Sequence, residues 1–141
     1  MIDQERAERA AAAMWENDQA SKDLGMKLES ISPGEARLSM EVRETFLNGH
    51  GICHGGFIFT LADSAFAFAC NSYNNLVVAQ QNQITFLSPG KRGERLTAIA
   101  SEKARTGRSG VYDVVVSGED GRKVALFQGL SRQIKGSHFD E

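Results

Sequence analysis

The feature that most constrains the fold is a run of fifteen residues, 57–71, that contains no lysine, arginine or glutamate. This run is long for a strand and has no turn-forming residue inside it, so it predicts a helix. Apolar side chains fall on almost every side of that helix, and such a helix has to be buried on almost every side. The rest of the chain must therefore wrap around it.

Strands are predicted to do the wrapping. Turn-forming residues separate most of the neighbouring segments that have strand-like apolar patterns. These six segments are 26–31, 36–43, 76–87, 95–103, 111–117 and 123–134. Short loops between consecutive strands make neighbours antiparallel. A doubly wound parallel fold would need helices between the later strands, and the sequence has none there. The predicted fold class is α+β, with an antiparallel six-strand sheet wrapped around one long buried helix.

Two further segments flank this core. Residues 1–24 are rich in alanine and charged side chains, with apolar residues at steps of three and four, which predicts an amphipathic N-terminal helix. Gly25 is expected to end that helix, and residues 136–141 are expected to form a loose tail. A length of 141 residues fits a single domain, 1–141, and 41% hydrophobic with 24% charged residues is an ordinary globular composition.

Charge, hydropathy and cysteine content argue against several classes of protein. A net charge of −2 gives no strong positive field for nucleic acid. The first residues are polar and acidic rather than basic and then apolar, and no window approaches the ~18 apolar residues of a membrane span. Cys53 and Cys70 are too few for a secreted scaffold held by disulfides. We expect a soluble cytoplasmic protein with no nucleic-acid or membrane partner.

Asp63 lies inside the apolar helix and is the residue most informative about function. An ionised carboxylate is costly to bury unless it is paired, hydrogen-bonded or used in a reaction. Asp63 is therefore either a structural carboxylate, bonded to the backbone or to a neighbour such as Ser64, or a functional one.

Gly55 and Gly56 come where this helix is expected to begin. They could simply provide a tight turn. They would also leave the first N–H groups, at the positive end of the helix dipole, open to close approach by a substrate. Together with Asp63 this suggests acyl transfer, in which the helix end stabilises an oxyanion and the carboxylate attacks the carbonyl or activates water. A thioester suits such a site, because its thiolate leaves with little acid assistance.

The glycine-rich loop before the helix allows other interpretations. His50, Cys53 and His54 could bind a metal, but their spacing matches no common zinc site. Cys53 could be a nucleophile beside His54, although sequence neighbours need not face each other. The two glycines at 49 and 51 lack the third glycine of a dinucleotide site. We therefore predict no metal and no cofactor.

Three motifs in the chain resemble those of a known family: NGHGICHGG at 48–56, LADSAFA at 61–67 and TFLSPG at 85–90. They are similar to the motifs of the hotdog-fold acyl-CoA thioesterases, and within that superfamily to the phenylacetic acid degradation thioesterases, the PaaI type. The resemblance runs in order from about residue 13 to residue 134. It implies a hotdog fold, with the sheet wrapped around the long helix.

The resemblance also implies roles for four residues. Gly55 would offer its backbone N–H to the thioester oxygen. Asp63 would be the nucleophile or the general base. Asn48 would bond the attacking water or the substrate, and His54 would orient the loop or bond the acyl group. These four are the predicted catalytic residues.

One position departs from the pattern of some relatives. They carry threonine or serine one helical turn after the carboxylate, where it helps to hold water, and this chain has Ala67 there. A water-holding side chain would have to be Ser64 or Asn48, or be absent.

Binding groups for the substrate are predicted from charge and aromaticity. Basic clusters that could meet the coenzyme A phosphates include five tentative contact residues: Lys91, Arg92, Arg105, Arg108 and Ser109. An aromatic acyl group could contact Trp15, Phe57, Phe59, Phe66 or Phe68, most of which are expected in the core because of their helical spacing.

The leading hypothesis is an acyl-CoA thioesterase that hydrolyses phenylacetyl or hydroxyphenylacetyl thioesters in phenylacetate degradation. Two alternatives remain open at this point. One is a non-catalytic hotdog protein that binds acyl-CoA, and the other is a hotdog hydratase or dehydratase.

The spacing of Gly55 and Asp63 predicts the assembly. Eight residues on a straight helix span about 12 Å, too far for both groups to act on one carbonyl. Two chains must then share each site in a homodimer. The resemblance implies dimers and dimers of dimers, so a homotetramer is expected.

Overall fold

The long apolar segment forms helix α3, Gly55–Cys70, in the structure, a computed structural model that describes residues 1–141. The predicted helix is confirmed, and both glycines belong to its first turn, as expected. Its side chains at Leu61, Ala62 and Ala65 are sealed from solvent. Helix α3 contacts all six strands, so it is the centre of the core.

Six strands form one antiparallel sheet in the order β1-β2-β4-β5-β6-β3. Their bounds are Lys27–Ser32 (β1), Glu35–Glu41 (β2), Val77–Phe86 (β3), Arg95–Thr106 (β4), Ser109–Ser117 (β5) and Lys123–Gln133 (β6). A 3-10 turn, Glu44–Phe46, leads from β2 towards the glycine-rich loop. The predicted fold class is confirmed. Strand β3 lies at one edge of the sheet, and helix α1 contacts the strand at the opposite edge, β1.

The sheet lies close to helix α3 at Gly129 of β6. A Cβ atom there would lie 2.7 Å from the Cε1 and Cζ atoms of Phe66. Phe66 is only 1% exposed and packs against Tyr112 and Phe127, so its ring has no space into which it could retreat. Gly129 therefore lets the sheet close on the helix.

We expect Gly129→Ala to lower the free energy of unfolding by about 1–3 kcal/mol, because the added methyl group overpacks the core. The midpoint of urea unfolding measures this change. Gly49→Ala is the matched control, since a Cβ at Gly49 meets no atom within 4 Å. An unchanged midpoint for Gly129→Ala would show that Phe66 can move aside.

The predicted single N-terminal helix is wrong in one respect. Residues 1–24 form two helices, α1 (Asp3–Asn17) and α2 (Gln19–Asp23), separated by Asp18. The Asp18 carboxylate accepts hydrogen bonds from the Ser21 N–H at 3.0 Å and the Ser21 hydroxyl at 2.7 Å. Asp18 thus caps a new helix instead of continuing the first one. Gly25, at a φ of +74°, ends α2 as predicted.

The predicted loose tail is also wrong, because residues 136–141 contact the body of the protein. The Glu141 carboxylate pairs with Arg6 of α1 at 2.8 Å. The Asn74 side chain donates to the Phe139 carbonyl at 3.0 Å. These partners lie far away in sequence, so the composition of the tail could not indicate them. None of the helices is both long enough and apolar enough to cross a bilayer.

Candidate active site

The first turn of helix α3 presents a backbone donor without a partner. His54 is the N-cap of the helix, and its Nδ1 atom accepts from the Gly56 N–H at 3.1 Å. The Phe57 N–H donates to the His54 carbonyl at 3.0 Å. The Gly55 N–H donates to no group of the chain. A free N–H therefore stands at the positive end of the helix dipole.

His54 has a defined place in this geometry. Because its Nδ1 is an acceptor, a neutral imidazole carries its proton on Nε2. The ring caps the helix and is exposed. This contact fits the expectation that His54 orients the loop.

Asn48 shapes the glycine-rich loop. Its Oδ1 atom accepts from the His50 N–H at 2.9 Å and the Ile52 N–H at 3.4 Å. Its Nδ2 group donates to no group of the chain, so it remains available as a donor.

An open cavity of about 480 Å³ joins the loop, the start of α3 and the segment after β3. Asn48 and Gly55 line it together with Phe86 and Leu87, whose side chains are 50% and 52% exposed. A Cβ on Gly55 would lie 2.9 Å from the Cζ atom of Phe86. The glycine thus admits an aromatic ring against the helix end. We call Asn48, His54 and Gly55 the donor half-site.

Asp63 lies in the middle of α3 and is half-buried. Its Oδ1 atom accepts from the Asn82 side-chain amide at 2.9 Å, and its Oδ2 atom has no partner in the chain. Burial raises the pKa of the Asp63 carboxyl above its ordinary value, although the Asn82 hydrogen bond acts in the opposite direction. A raised pKa makes the carboxylate a better proton acceptor near neutral pH.

Asn82, which comes from strand β3, is not among the site residues predicted from the sequence. Its Oδ1 atom is buried without a hydrogen-bond partner. Such an atom costs about 1–3 kcal/mol of stability. The available signal was the alternation of β3, which puts Asn82 and Ile84 on the less exposed face, where an apolar residue is normally found. We call Asp63 and Asn82 the carboxylate half-site.

Ser64, one of the expected water-holding residues, has another partner. Its hydroxyl is 2.9 Å from that of Ser21, and the Ser21 hydroxyl donates to Asp18 at 2.7 Å. The hydrogen of Ser64 is therefore used to attach helix α2 to helix α3. Ser64 can therefore hold a water only as a hydrogen-bond acceptor.

The two half-sites do not meet within one chain. Gly55 and Asp63 belong to one continuous helix and are eight residues apart, which corresponds to about 12 Å. The structure brings Asn48, His54 and Gly55 together and leaves Asp63 separate.

The surroundings of Cys53 disfavour it as a nucleophile, since its side chain is buried. Burial raises the pKa of its thiol to about 11, and its Sγ atom is 3.6 Å from the His54 carbonyl. The neutral thiol is a poor nucleophile. No group of three His, Cys, Asp or Glu side chains is arranged to hold a metal ion.

The predicted phosphate contacts do not form one cluster. Strand β4 extends to Thr106, beyond its predicted end at residue 103, and Gly107, at a φ of +62°, turns it directly into β5. Arg105 and Arg108 lie at this end. Lys91 and Arg92 precede the other end of β4, roughly 33 Å away along the strand.

The basic side chains also differ in the ion pairs and other contacts that they form within the chain. Arg92 is 3.3 Å from Glu44. The Nε atom of Arg105 is 3.1 Å from Glu102, and its guanidinium lies 3.5 Å above the centre of the Tyr73 ring. Arg108 is exposed and forms no ion pair.

Most of the aromatic candidates belong to the core, as expected. Phe66 and Phe68 are each 1% exposed. Phe59 packs edge-on against Phe127 at 5.5 Å between ring centres, and Trp15 is 6.0 Å from Phe68. Phe57 is half-buried in a stack with a neighbouring ring of the 3-10 turn.

An antiparallel sheet wrapped around one helix, with a free N–H at the start of that helix and a carboxylate within it, defines a hotdog-fold thioesterase. The Thioesterase superfamily profile matches residues 50–125. The chain belongs to this superfamily.

Individual relatives agree with this assignment. The chain is 44% identical to the acyl-coenzyme A thioesterase PaaI of Escherichia coli over 132 residues, 94% of each chain. It superposes on the structure of the E. coli PaaI protein from the phenylacetic acid degradation operon with a TM-score of 0.95 and 43% identity, covering 96% of this chain and 99% of that one. The Streptococcus mutans protein smu.793 bound to acetyl-CoA gives a TM-score of 0.76 and 27% identity, over 80% of this chain and 90% of the other.

Proposed function

We propose that the protein hydrolyses aromatic acyl-CoA thioesters, such as phenylacetyl-CoA or hydroxyphenylacetyl-CoA, to the free acid and coenzyme A. The observation that carries the proposal is that helix α3 has both a Gly55 N–H without a hydrogen-bond partner and a half-buried Asp63 whose pKa is raised. The similarity to E. coli PaaI supports a place in phenylacetate degradation. We place this activity in the cytoplasm.

In the proposed reaction the thioester carbonyl oxygen accepts a hydrogen bond from the Gly55 N–H. The positive end of the α3 dipole stabilises the negative charge that develops on this oxygen. The free Oδ2 atom of Asp63 either attacks the carbonyl carbon or takes a proton from the attacking water. If Asp63 attacks, coenzyme A leaves as a thiolate, and water then hydrolyses the acyl-Asp63 anhydride to the free acid. If Asp63 takes a proton from water, the resulting hydroxide adds to the carbonyl carbon, and the C–S bond breaks to release the free acid and the coenzyme A thiolate.

Two chains would complete each site. Strand β3 is an edge strand of ten residues with free backbone groups, and exposed edges of this kind pair readily with a second chain. In one chain Phe86 contacts the Gly55 position and Asn82 contacts Asp63. Antiparallel pairing that sets Phe86 of one copy opposite Asn82 of the second copy would join the two half-sites. A twofold homodimer then has two equivalent sites, and two such dimers would form the homotetramer.

The β4–β5 hairpin is the better of the two proposed contacts for the coenzyme A phosphates. Arg108 and Ser109 are exposed there, and Glu102 and Tyr73 hold Arg105 in place. A guanidinium already held by two neighbours loses little conformational freedom when it binds an anion.

We expect Arg108→Ala and added salt each to raise the KM for an acyl-CoA, because both weaken attraction to the phosphates. The KM for a truncated thioester without the nucleotide phosphates should stay constant. Steady-state kinetics with both substrates measure the contrast, and Arg37→Ala, an exposed arginine on β2, is the control. Equal responses from the two substrates would remove the hairpin from the binding site.

The decisive test of the function is incubation of the purified protein with phenylacetyl-CoA and a thiol reagent. Release of free coenzyme A supports the proposal. Binding without release would indicate a non-catalytic acyl-CoA-binding protein. A change in enoyl absorbance with an enoyl-CoA, without thiol release, would indicate a hydratase or dehydratase.

A further inference from the structure

Asn82 is the only side chain that hydrogen-bonds the Asp63 carboxylate. Its Nδ2 group donates to Oδ1 at 2.9 Å across the gap between strand β3 and helix α3. The other Asp63 oxygen, Oδ2, has no partner in the chain and is not sealed from solvent. The carboxylate is thus held by one oxygen and open at the other.

The same amide is poorly satisfied on its other side. The Oδ1 atom of Asn82 is sealed from solvent and accepts no hydrogen bond. An apolar side chain of the same shape would avoid this unpaired acceptor, so packing alone does not explain an asparagine at this place.

We propose that Asn82 is a positioning residue for the hydrolysis. It fixes the orientation of the Asp63 carboxylate, so that Oδ2 is the oxygen presented to the thioester or to water. This inference rests on the proposed function of Asp63. Without the hydrogen bond the carboxylate can rotate about its Cβ–Cγ bond, and small displacements of a reacting group reduce its rate strongly.

The hydrogen bond also favours the ionised carboxylate. Only burial and the Asn82 contact account for the pKa of Asp63, and no charged side chain of the packed strands contributes. The nearby ionisable group on α3 is the Cys70 thiol, which remains neutral because burial raises its pKa to about 12. Loss of the Asn82 bond should therefore raise the pKa of Asp63 further.

The first test is Asn82→Leu, which keeps a similar volume and removes both polar atoms. We expect kcat for phenylacetyl-CoA to fall about tenfold with little change in KM, since the substrate contacts remain. The melting temperature should change little, because removal of the unpaired Asn82 acceptor offsets loss of the hydrogen bond to the half-buried Asp63. Gln83→Leu, the exposed neighbour on β3, is the matched control and should keep the wild-type kcat.

A second readout is the pH dependence of kcat/KM. A general base or nucleophile fails when it is protonated, so the acidic limb should move to higher pH in Asn82→Leu. Asn82→Asp keeps the shape but places a second carboxyl beside Asp63. It should move the limb further, because like charges disfavour ionisation.

Two results would overturn the inference. One is a wild-type kcat and an unmoved acidic limb in Asn82→Leu, or in Asn82→Asp if the leucine variant does not fold. The other is a fall in kcat matched by a fall in melting temperature with no shift of the limb, which would mark a merely structural asparagine. Failure of the proposed function is separate, because the wild-type protein would then release no coenzyme A from phenylacetyl-CoA. Failure of the Asp63 assignment alone would be seen as normal turnover by Asp63→Asn.

Discussion

Asp63→Asn is expected to lower kcat by at least about a hundredfold while the protein remains folded. The amide is similar in size to the carboxylate, but it can neither accept a proton nor attack the carbonyl at a useful rate. Steady-state turnover of phenylacetyl-CoA, with circular dichroism to verify the fold, measures the effect. Asp113→Asn on strand β5, where the carboxylate accepts a bond from Gln128 at 3.1 Å, is the matched control.

The same measurement compares the loss of activity in variants of the donor half-site with the loss in Asp63→Asn. Asn48→Ala and His54→Ala should cost less activity than Asp63→Asn, because the Gly55 N–H remains in both. A larger loss from His54→Ala than from Asp63→Asn would point to a histidine-based mechanism. Near-normal turnover by Asp63→Asn would remove the carboxylate from the reaction.

Two inactive variants, Gly55→Pro and Asp63→Asn, are expected to regain about a quarter of wild-type activity when refolded together. Half of randomly formed dimers are mixed, and each mixed dimer has one intact site and one site with both changes. Activity is measured on the refolded mixture, with each variant refolded alone as the background. Folded mixed dimers without any recovered activity would contradict the shared site.

The structure makes Gly55→Pro a specific change. Gly55 is the first helical residue after the cap, the position where proline is best tolerated, and His54 already has the extended conformation that a residue before proline requires (φ −61°, ψ 134°). Proline removes the free N–H. Gly55→Ala is the control, because it adds a similar contact with the exposed Phe86 ring and keeps the N–H.

The fold was predictable because one element dominates it. A helix that is apolar on all sides leaves few options for the strands around it, and the confirmed sheet follows from that constraint. The break at Asp18 was harder to recognise, since a single aspartate in an alanine-rich helix becomes a cap only through Ser21.

The site was predictable only where local structure determines it. The free Gly55 N–H follows from its place at the start of a helix, and the cost of burying Asp63 singles it out. Asn82 is distant in sequence. The alternation of β3 places it on the less exposed face, but its contact with Asp63 depends on how β3 packs against α3, which no local pattern reports. The sequence favoured the Arg105–Ser109 loop over the Lys91–Arg92 turn as a phosphate contact, and the structure places the two clusters at opposite ends of β4.

The distance between the half-sites on one rigid helix has a consequence for regulation. If each site is divided between chains, as proposed, specific activity depends on the fraction of protein that is assembled. Dilution below the dissociation constant of the dimer would leave chains that carry every reactive group and turn over nothing. The concentration of the protein would then set its specific activity.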